Sequence, residues 1–333
     1  MRTVKLGFIL SILALSCFLF ACAETGPTVK PTAAAGKKTT IRIASPFPHG
    51  IVVEAAEKFK EIVEKGSGGR FEFTIDAGKK AEIDINNMNQ KGEIEMQSNG
   101  TAFLEYYAPP YYFFTNPYVM KDFDHYMRVW NGKLGKQALA MLEKNNLKHL
   151  ATIYRGLRQT TAKKPLYTPA DAYMLKLRLP PIPSWMAVWK AIGTDPVGVP
   201  LPELYNSLKT GKAEASEGDL PQIQGFKLDQ VQSHLIITNH LVQTAGILIY
   251  KPFFDKLSKA DQDLFVKAGK EAEEWANNKI KTGELAILID LQRKGMQVII
   301  PDANSFREKA KPAVDELFKT KWNVTTWAEV LAQ

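Results

Sequence analysis

Two arginines, Arg158 and Arg178, carry the most suggestive chemistry in this 333-residue chain. Arg178 lies in the run Leu-Lys-Leu-Arg-Leu-Pro, where Leu175, Leu177 and Leu179 alternate with Lys176 and Arg178. That is the period of a strand with one buried face, so Arg178 starts from the face opposite the leucines. Pro180, Pro181 and Pro183 then stiffen the chain just beyond it. A guanidinium mounted on a rigid strand end can grip a carboxylate through two parallel charge-assisted hydrogen bonds. The same pattern also fits an arginine solvated on the polar face of a strand. Arg158 fits either a second anion contact or a brace for the Thr168–Asp171 turn, paired with Asp171.

Other side chains could join such a site. Trp185 and Trp189 lie four apart and share one helix face; that spacing usually makes core, although Trp185, nearest the strand end, can also face a ligand. Ser45, Ser98 and Asn99 are polar residues at expected strand ends. The carboxylate pairs Glu93/Glu95 and Glu214/Glu217 read, taken alone, as solvated. Catalytic signatures are lacking: the sequence holds no HExxH, GxSxG, Walker loop or GxGxxG, and its five histidines have no metal-ligand spacing. An enzyme is therefore disfavoured, and neither a metal nor a cofactor is expected. The formal net charge of +8 is mild and dispersed, with no dense basic run interleaved with aromatics, which argues against nucleic acid as a partner.

The elements that must position these residues begin after an export segment. Arg2 and Lys5 precede the uncharged apolar run Leu6–Ala21, too short for a membrane span of about 20 residues. The run ends Leu19-Phe20-Ala21-Cys22, which resembles the lipobox of bacterial lipoproteins, with Phe20 a departure from the usual small or aliphatic residue. Cys22 is then the lipidated first residue of the mature chain, and residues 1–21 are its signal peptide. Both cysteines lie in this region, so the body has no disulfide and must depend on a large apolar core, which 45% hydrophobic residues can supply. Residues 22–39, rich in Thr, Pro, Ala, Gly and Lys, read as a flexible tether.

From Thr40 onward, strand and helix periods alternate. Thr40–Ser45 reads as a strand, Gly50–Lys65 as a helix with Val52, Ala56, Phe59 and Val63 inward, and Phe71, Phe73 and Ile75 as the next strand. This βαβ pattern recurs at Leu175–Gly198 and again near Ala245–Tyr250, predicting an α/β fold with mostly parallel sheets. Ser258 and Asp261 suggest a capped helix start, and no proline intervenes before Gly295. A helix over 258–294 would be roughly 54 Å long at 1.5 Å per residue, long enough to lie along two lobes. Asn277, Asn278, Lys279, Lys281 and Gly283 are expected to mark where it crosses.

The chain also resembles a known family. Gly156-Leu157-Arg158, Lys164-Pro165 with Thr168-Pro169-Ala170-Asp171, and Lys176-Leu177-Arg178 follow the order and spacing seen in the extracytoplasmic solute-binding proteins of TRAP transporters. Val197–Pro221, Leu235–His240, Glu57–Phe73, Gln90–Met96 and Asn116–Val129 extend the resemblance over most of the mature chain. It implies a two-lobed periplasmic binding protein fold with crossover hinge strands and a long helix spanning both lobes. The lobes expected are 40–156 (lobe I) and 157–243 (lobe II), with 244–257 returning to lobe I, 258–294 the long helix and 295–333 packing on both. Within the family pattern, Arg178 pairs with the ligand carboxylate and Arg158 supports it. Leu201 falls at a pocket position that is often aromatic, and His240 at a conspicuous place near the hinge. Glu217-Gly218 falls where the family has a glutamate and, in many members, an asparagine that anchors the ligand.

Glycine at 218 and leucine at 201 point to a ligand less polar than a sialic acid or a hydroxy-diacid. The expected function is capture of an organic carboxylate by lobe closure, on the periplasmic side of a bacterial membrane, for delivery to a TRAP-type permease. The alternative is a ligand-binding signalling or scaffolding lipoprotein that docks to another periplasmic protein.

Overall fold

The computed structural model of the chain describes residues 38–333. The expected signal peptide, the expected lipidation site Cys22 and nearly all of the expected tether lie outside the described residues. The first strand, β1 (Thr39–Ser45), opens one residue inside that tether. It leads to α1 (Ile51–Gly66) and β2 (Phe71–Ala77), and β1 and β2 pair in parallel from Thr39↔Phe71 to Ser45↔Ala77. Helix α1 buries Val52, Ala56, Phe59 and Val63, the positions its period marked. Then follow α2 (Glu82–Lys91), β3 (Met96–Gly100), α3 (Ala102–Tyr107), α4 (Phe123–Asn131) and α5 (Lys133–Lys144).

The second half is built around two long strands. β4 (Leu147–Ala162) has 16 residues and β8 (His234–Tyr250) has 17. Between them come β5 (Lys176–Leu179), α6 (Pro183–Ile192), β6 (Asp195–Gly198), α7 (Leu204–Lys209), β7 (Ala215–Asp219) and α8 (Leu220–Gly225). After β8 the chain runs through α9 (Lys251–Asp255), α10 (Lys259–Arg293), β9 (Gln297–Ile299), α11 (Ala303–Thr320) and α12 (Trp327–Leu331). The β5–α6–β6 unit is the second expected βαβ, paired in parallel from Lys176↔Asp195. The third is not there: Ala245–Tyr250 is the last part of β8, antiparallel to both β3 and β4. Its uninterrupted burial, rather than alternation, is what a central strand covered on both faces produces.

The strands form one nine-stranded mixed sheet in the order β2-β1-β3-β8-β4-β7-β5-β6, with β9 on β8. β4 and β8 pair antiparallel from Leu147↔Tyr250 to Ala162↔His234. The β3-β1-β2 group joins β8 over Ala245–Ile249, and the β7-β5-β6 group joins β4 over Arg158–Ala162. The long pair is thus the crossover between two α/β halves.

Because β7 reaches only the end of β4, residues 147–157 of β4 have an open edge, and α10 covers it. Thr152 N–H donates to Glu273 Oε2 (2.5 Å), and Tyr154 N–H donates to Asn277 Oδ1 (2.7 Å). Asn277 Nδ2 returns a bond to the Thr152 carbonyl (3.2 Å). Leu150 O lies 2.4 Å from where a Cβ on Gly269 would stand, so helix and strand approach closely there. Beyond this contact, Lys279 pairs with Glu54 of α1 (2.6 Å) and Lys281 with Asp124 of α4 (3.1 Å). The expected polar patch therefore marks contacts of α10 with β4, α1 and α4. The helix has 35 residues, and the Ser258 side chain caps it by accepting from Asp261 N–H. No helix among the described residues is long and apolar enough to cross a membrane.

Candidate ligand-binding site

Strand β5 buries three of its four residues. Leu177 and Leu179 enter the main core, which fixes the strand and sends Arg178 to the other face. Arg178 is 1% exposed, so the solvated reading of this residue fails. Its Nε donates to the Val199 carbonyl at 2.9 Å, beyond the end of β6. Its Nη2 is buried with no hydrogen-bond partner, and no carboxylate among the described residues stands at ion-pair distance. Burial pushes its pKa down to about 10, against the pull of the nearby Glu217 carboxylate, so it is still a cation at neutral pH.

Arg158, on β4, is already paired. Its Nε and Nη2 form a fork on the two Glu217 carboxylate oxygens, with Nη2–Oε1 at 2.8 Å. Its Nη2 also reaches the Glu217 carbonyl (3.2 Å), and its Nη1 donates to Gln243 Oε1 (3.1 Å). The guanidinium lies 5.1 Å from the Trp185 ring centroid, a cation–π contact. Glu217 is fully buried, not solvated as its sequence context suggested. Burial alone would raise its pKa, but Arg158 and His240 outweigh that and hold it down at about 2. His240 faces Glu217 Oε2 through Nε2 (3.2 Å) and Thr238 Oγ1 through Nδ1 (2.8 Å). A carboxylate only accepts, so Nε2 carries the proton and Nδ1 accepts from the Thr238 hydroxyl. Burial lowers the His240 pKa, with Glu217 opposing, which keeps the imidazole neutral.

Asp171 does not pair with Arg158. It accepts from Thr168 N–H (2.8 Å) and Tyr167 N–H (2.9 Å) in a local capping box, so the brace expected for that turn comes from within it. The net result is one neutralised arginine and one buried arginine with a free arm.

A family profile described as bacterial extracellular solute-binding protein, family 7, matches residues 47–321. The chain belongs to this family, the solute-binding proteins of TRAP transporters. It is similar to the sialic acid-binding periplasmic protein of Vibrio cholerae, 33% identical over 201 residues, 60% of this chain and 63% of that one. Among solved structures it resembles a TRAP periplasmic solute-binding protein from Polaromonas bound to D-erythronate. The two are 27% identical with a TM-score of 0.80, covering 89% of this chain and 99% of that one. A Bordetella relative with density attributed to pantoate is 26% identical with a TM-score of 0.79, covering 88% and 98%. The two-lobed α/β fold is that of these periplasmic solute-binding proteins, which are transport receptors and not enzymes.

In this family 7 protein the sequence-marked residues divide into two groups. Arg158, Trp185, Glu217 and His240 meet in one network, with Arg178 close enough for the Glu217 charge to act on it. Trp185 also ties α6 to the first half by donating from Nε1 to the Thr115 carbonyl (2.9 Å). Leu201 is half-buried and packs on a second core cluster formed by Leu204, Leu208, Leu220 and Ile223. In the first half, Ser98 Oγ donates to the Val52 carbonyl (2.7 Å), and Asn99 bonds Glu82 O, Gln97 Oε1 and Gly100 N–H. Ser45 Oγ accepts from Phe47 N–H (3.3 Å). These three spend their polar atoms holding strand ends.

Sequence reasoning missed Arg155, whose guanidinium stacks 4.6 Å from the Phe47 centroid and pairs with Asp219 (3.1 Å), joining the β1 loop to β7. It also missed Gln243. Both act on partners dozens of residues away, and no local pattern announces that.

Proposed function

We propose that the protein is a lipid-anchored periplasmic receptor that closes its two lobes on an organic carboxylate and delivers it to a TRAP-type permease. The observation that carries this reading is Arg178: a buried cation with an unpaired Nη2, beside an arginine whose charge Glu217 already cancels. Such a group, already withdrawn from water, is stabilised by an incoming anion that it can grip with its free arm. The acids in related structures, D-erythronate and the density attributed to pantoate, support a carboxylate as the common element. Leu201 beside the second core cluster, and glycine at 218, favour a monocarboxylate with a largely apolar body. An apolar tail there gains about 25 cal/mol for each Å² removed from water.

Calorimetry with a panel of carboxylates tests the reading. Branched oxo- and fatty monocarboxylates should bind more tightly than malate, succinate or sialic acid. Arg178→Ala should lose about 2–5 kcal/mol of binding, and Arg178→Lys nearly as much because an ammonium cannot reproduce the fork. Ligand should also shrink the radius of gyration in solution. Wild-type affinity in Arg178→Ala would refute the anchor. For the membrane link, Cys22→Ala should abolish incorporation of labelled palmitate while Cys17→Ala leaves it intact; the reverse result moves the lipidation site.

A further inference from the structure

The sheet face that carries Arg178 holds one more buried polar side chain without a partner, Ser216, and α8 brings the Gln222 carboxamide over the same face. Ser216 stands directly across from Arg178 in the parallel β5–β7 register, so the two side chains leave the sheet on the same side. Its Oγ is buried without a hydrogen-bond partner. Gly218 lies two residues further along β7, again on that face, toward the strand end where Arg178 reaches Val199. A Cβ on Gly218 would stand 2.5 Å from Gln222 Nε2 and 3.0 Å from its Cδ. The Gln222 carboxamide, carried by α8, therefore occupies the space that a side chain at 218 would take. Gln222 is only 9% exposed, and its side-chain bond to the Glu217 carbonyl is long, at 3.4 Å. Asp219 holds Gln222 in place by accepting from its backbone N–H (2.8 Å). Buried polar groups are normally bonded; here Arg178 Nη2 and Ser216 Oγ have no partner and Gln222 Nε2 has only a long one, a set that ligand oxygens would satisfy.

We propose that Ser216 and Gln222 form an oxygen-binding pair that reads the atom next to the ligand's carboxylate. With the carboxylate on Arg178, an α-keto or α-hydroxyl oxygen takes the Ser216 hydroxyl and the Gln222 amide N–H. The polar anchor that glycine at 218 removes is thus supplied from the following helix, and the remainder of the ligand stays apolar. This inference rests on Arg178 as the carboxylate anchor. A methylene in place of the oxygen would leave both donors unpaired, the situation in which binding sites discriminate most strongly.

The test compares α-ketoisocaproate with isocaproate, which differ at the one atom in question, by calorimetry on wild type, Ser216→Ala and Gln222→Met. Gln222→Met keeps the side-chain volume without the amide, and melting curves report that each variant is folded. Wild type should favour the keto acid by about tenfold or more, and each variant should shrink that preference several-fold through weaker keto-acid binding alone. Equal affinities in wild type, binding of neither acid, or an unchanged preference in both variants overturns the pair. Arg178→Ala, run on the same acids and the wider panel, judges the anchor separately: if it abolishes binding while no keto preference exists, the anchor stands and the oxygen site falls.

Discussion

Both carboxylate oxygens of Glu217 are taken by protein donors, Oε1 by Arg158 Nη2 and Oε2 by Arg158 Nε and His240 Nε2. Replacing Glu217 with Gln would leave the buried Arg158 guanidinium with no carboxylate in direct contact, held by Gln243 and only within the field of Asp219. Breaking a buried pair on one side costs about 3–5 kcal/mol, so Glu217→Gln should lower unfolding free energy by that order in urea titrations. A loss within about 0.5 kcal/mol, the range of ordinary surface substitutions, would show that the pair is dispensable. The facing of Arg178 was legible in the sequence because the alternating leucines send it to the opposite side of the strand. Its burial there was not, since alternation marks only one face as covered. Nor was Glu217. Its neighbours Glu214 and Asp219 make the segment look like a charged loop, and the arginine that neutralises it is 59 residues upstream.

At the scale of elements, α10 and the open edge of β4 depend on each other. Asn277 bonds both Tyr154 N–H and the Thr152 carbonyl, doing for β4 what a neighbouring strand would do. Asn277→Leu should therefore destabilise the fold by about 1–3 kcal/mol, because two buried backbone groups lose their partner. Exchange of the Tyr154 amide with deuterium should accelerate as well; unchanged protection would mean that the edge is sealed by other means. The helix itself could be read from the sequence, since its cap at Ser258 and the lack of proline are local signals. The 17-residue β8 could not. From His240 to Ile249 its residues are buried on both faces, so alternation vanishes, and the exposed Asn239 takes a positive φ of 44° before that run. A reading by period therefore kept only its last six residues and assigned them to a third βαβ unit.

At the scale of the whole molecule, buried imidazoles act to lower stability in mild acid. Burial lowers the pKa of His125 and His240 and brings His149 down to about 4. Each holds its proton less tightly folded than unfolded, so the unfolded chain binds more protons once the pH drops below about 6.5. Their contribution is complete above that point and is lost as the pH falls through the lowered folded-state values, about 4 for His149. Glu217, held at about 2 by Arg158 and His240 despite its burial, adds stability that persists above 4.5 and disappears below it. The two windows adjoin and act in the same direction. The carboxyls of Glu82, Glu105, Glu273 and Glu284, raised by burial, take up protons in the folded state and act against them above about pH 4.5. The melting temperature should change little between about pH 6.5 and pH 4.5, where these opposed shifts offset, and should decline steeply below about pH 4.5. Relative to wild type, His149→Gln should lose less stability as the pH falls from about 6.5 to about 4, and an unchanged profile would contradict a neutral imidazole at this position.

The unfilled arm of Arg178 has a consequence for how an empty receptor behaves. Hiding a cation from water is costly unless an anion comes with it. Under lobe closure that cost falls on the closed, unloaded conformer alone, because opening lets water solvate the guanidinium. Cargo removes the penalty and tilts the balance toward closure. On the proposed reading the residue that grips the cargo would also vouch for it: a membrane partner that recognised only the closed shape would seldom meet a receptor with nothing to deliver.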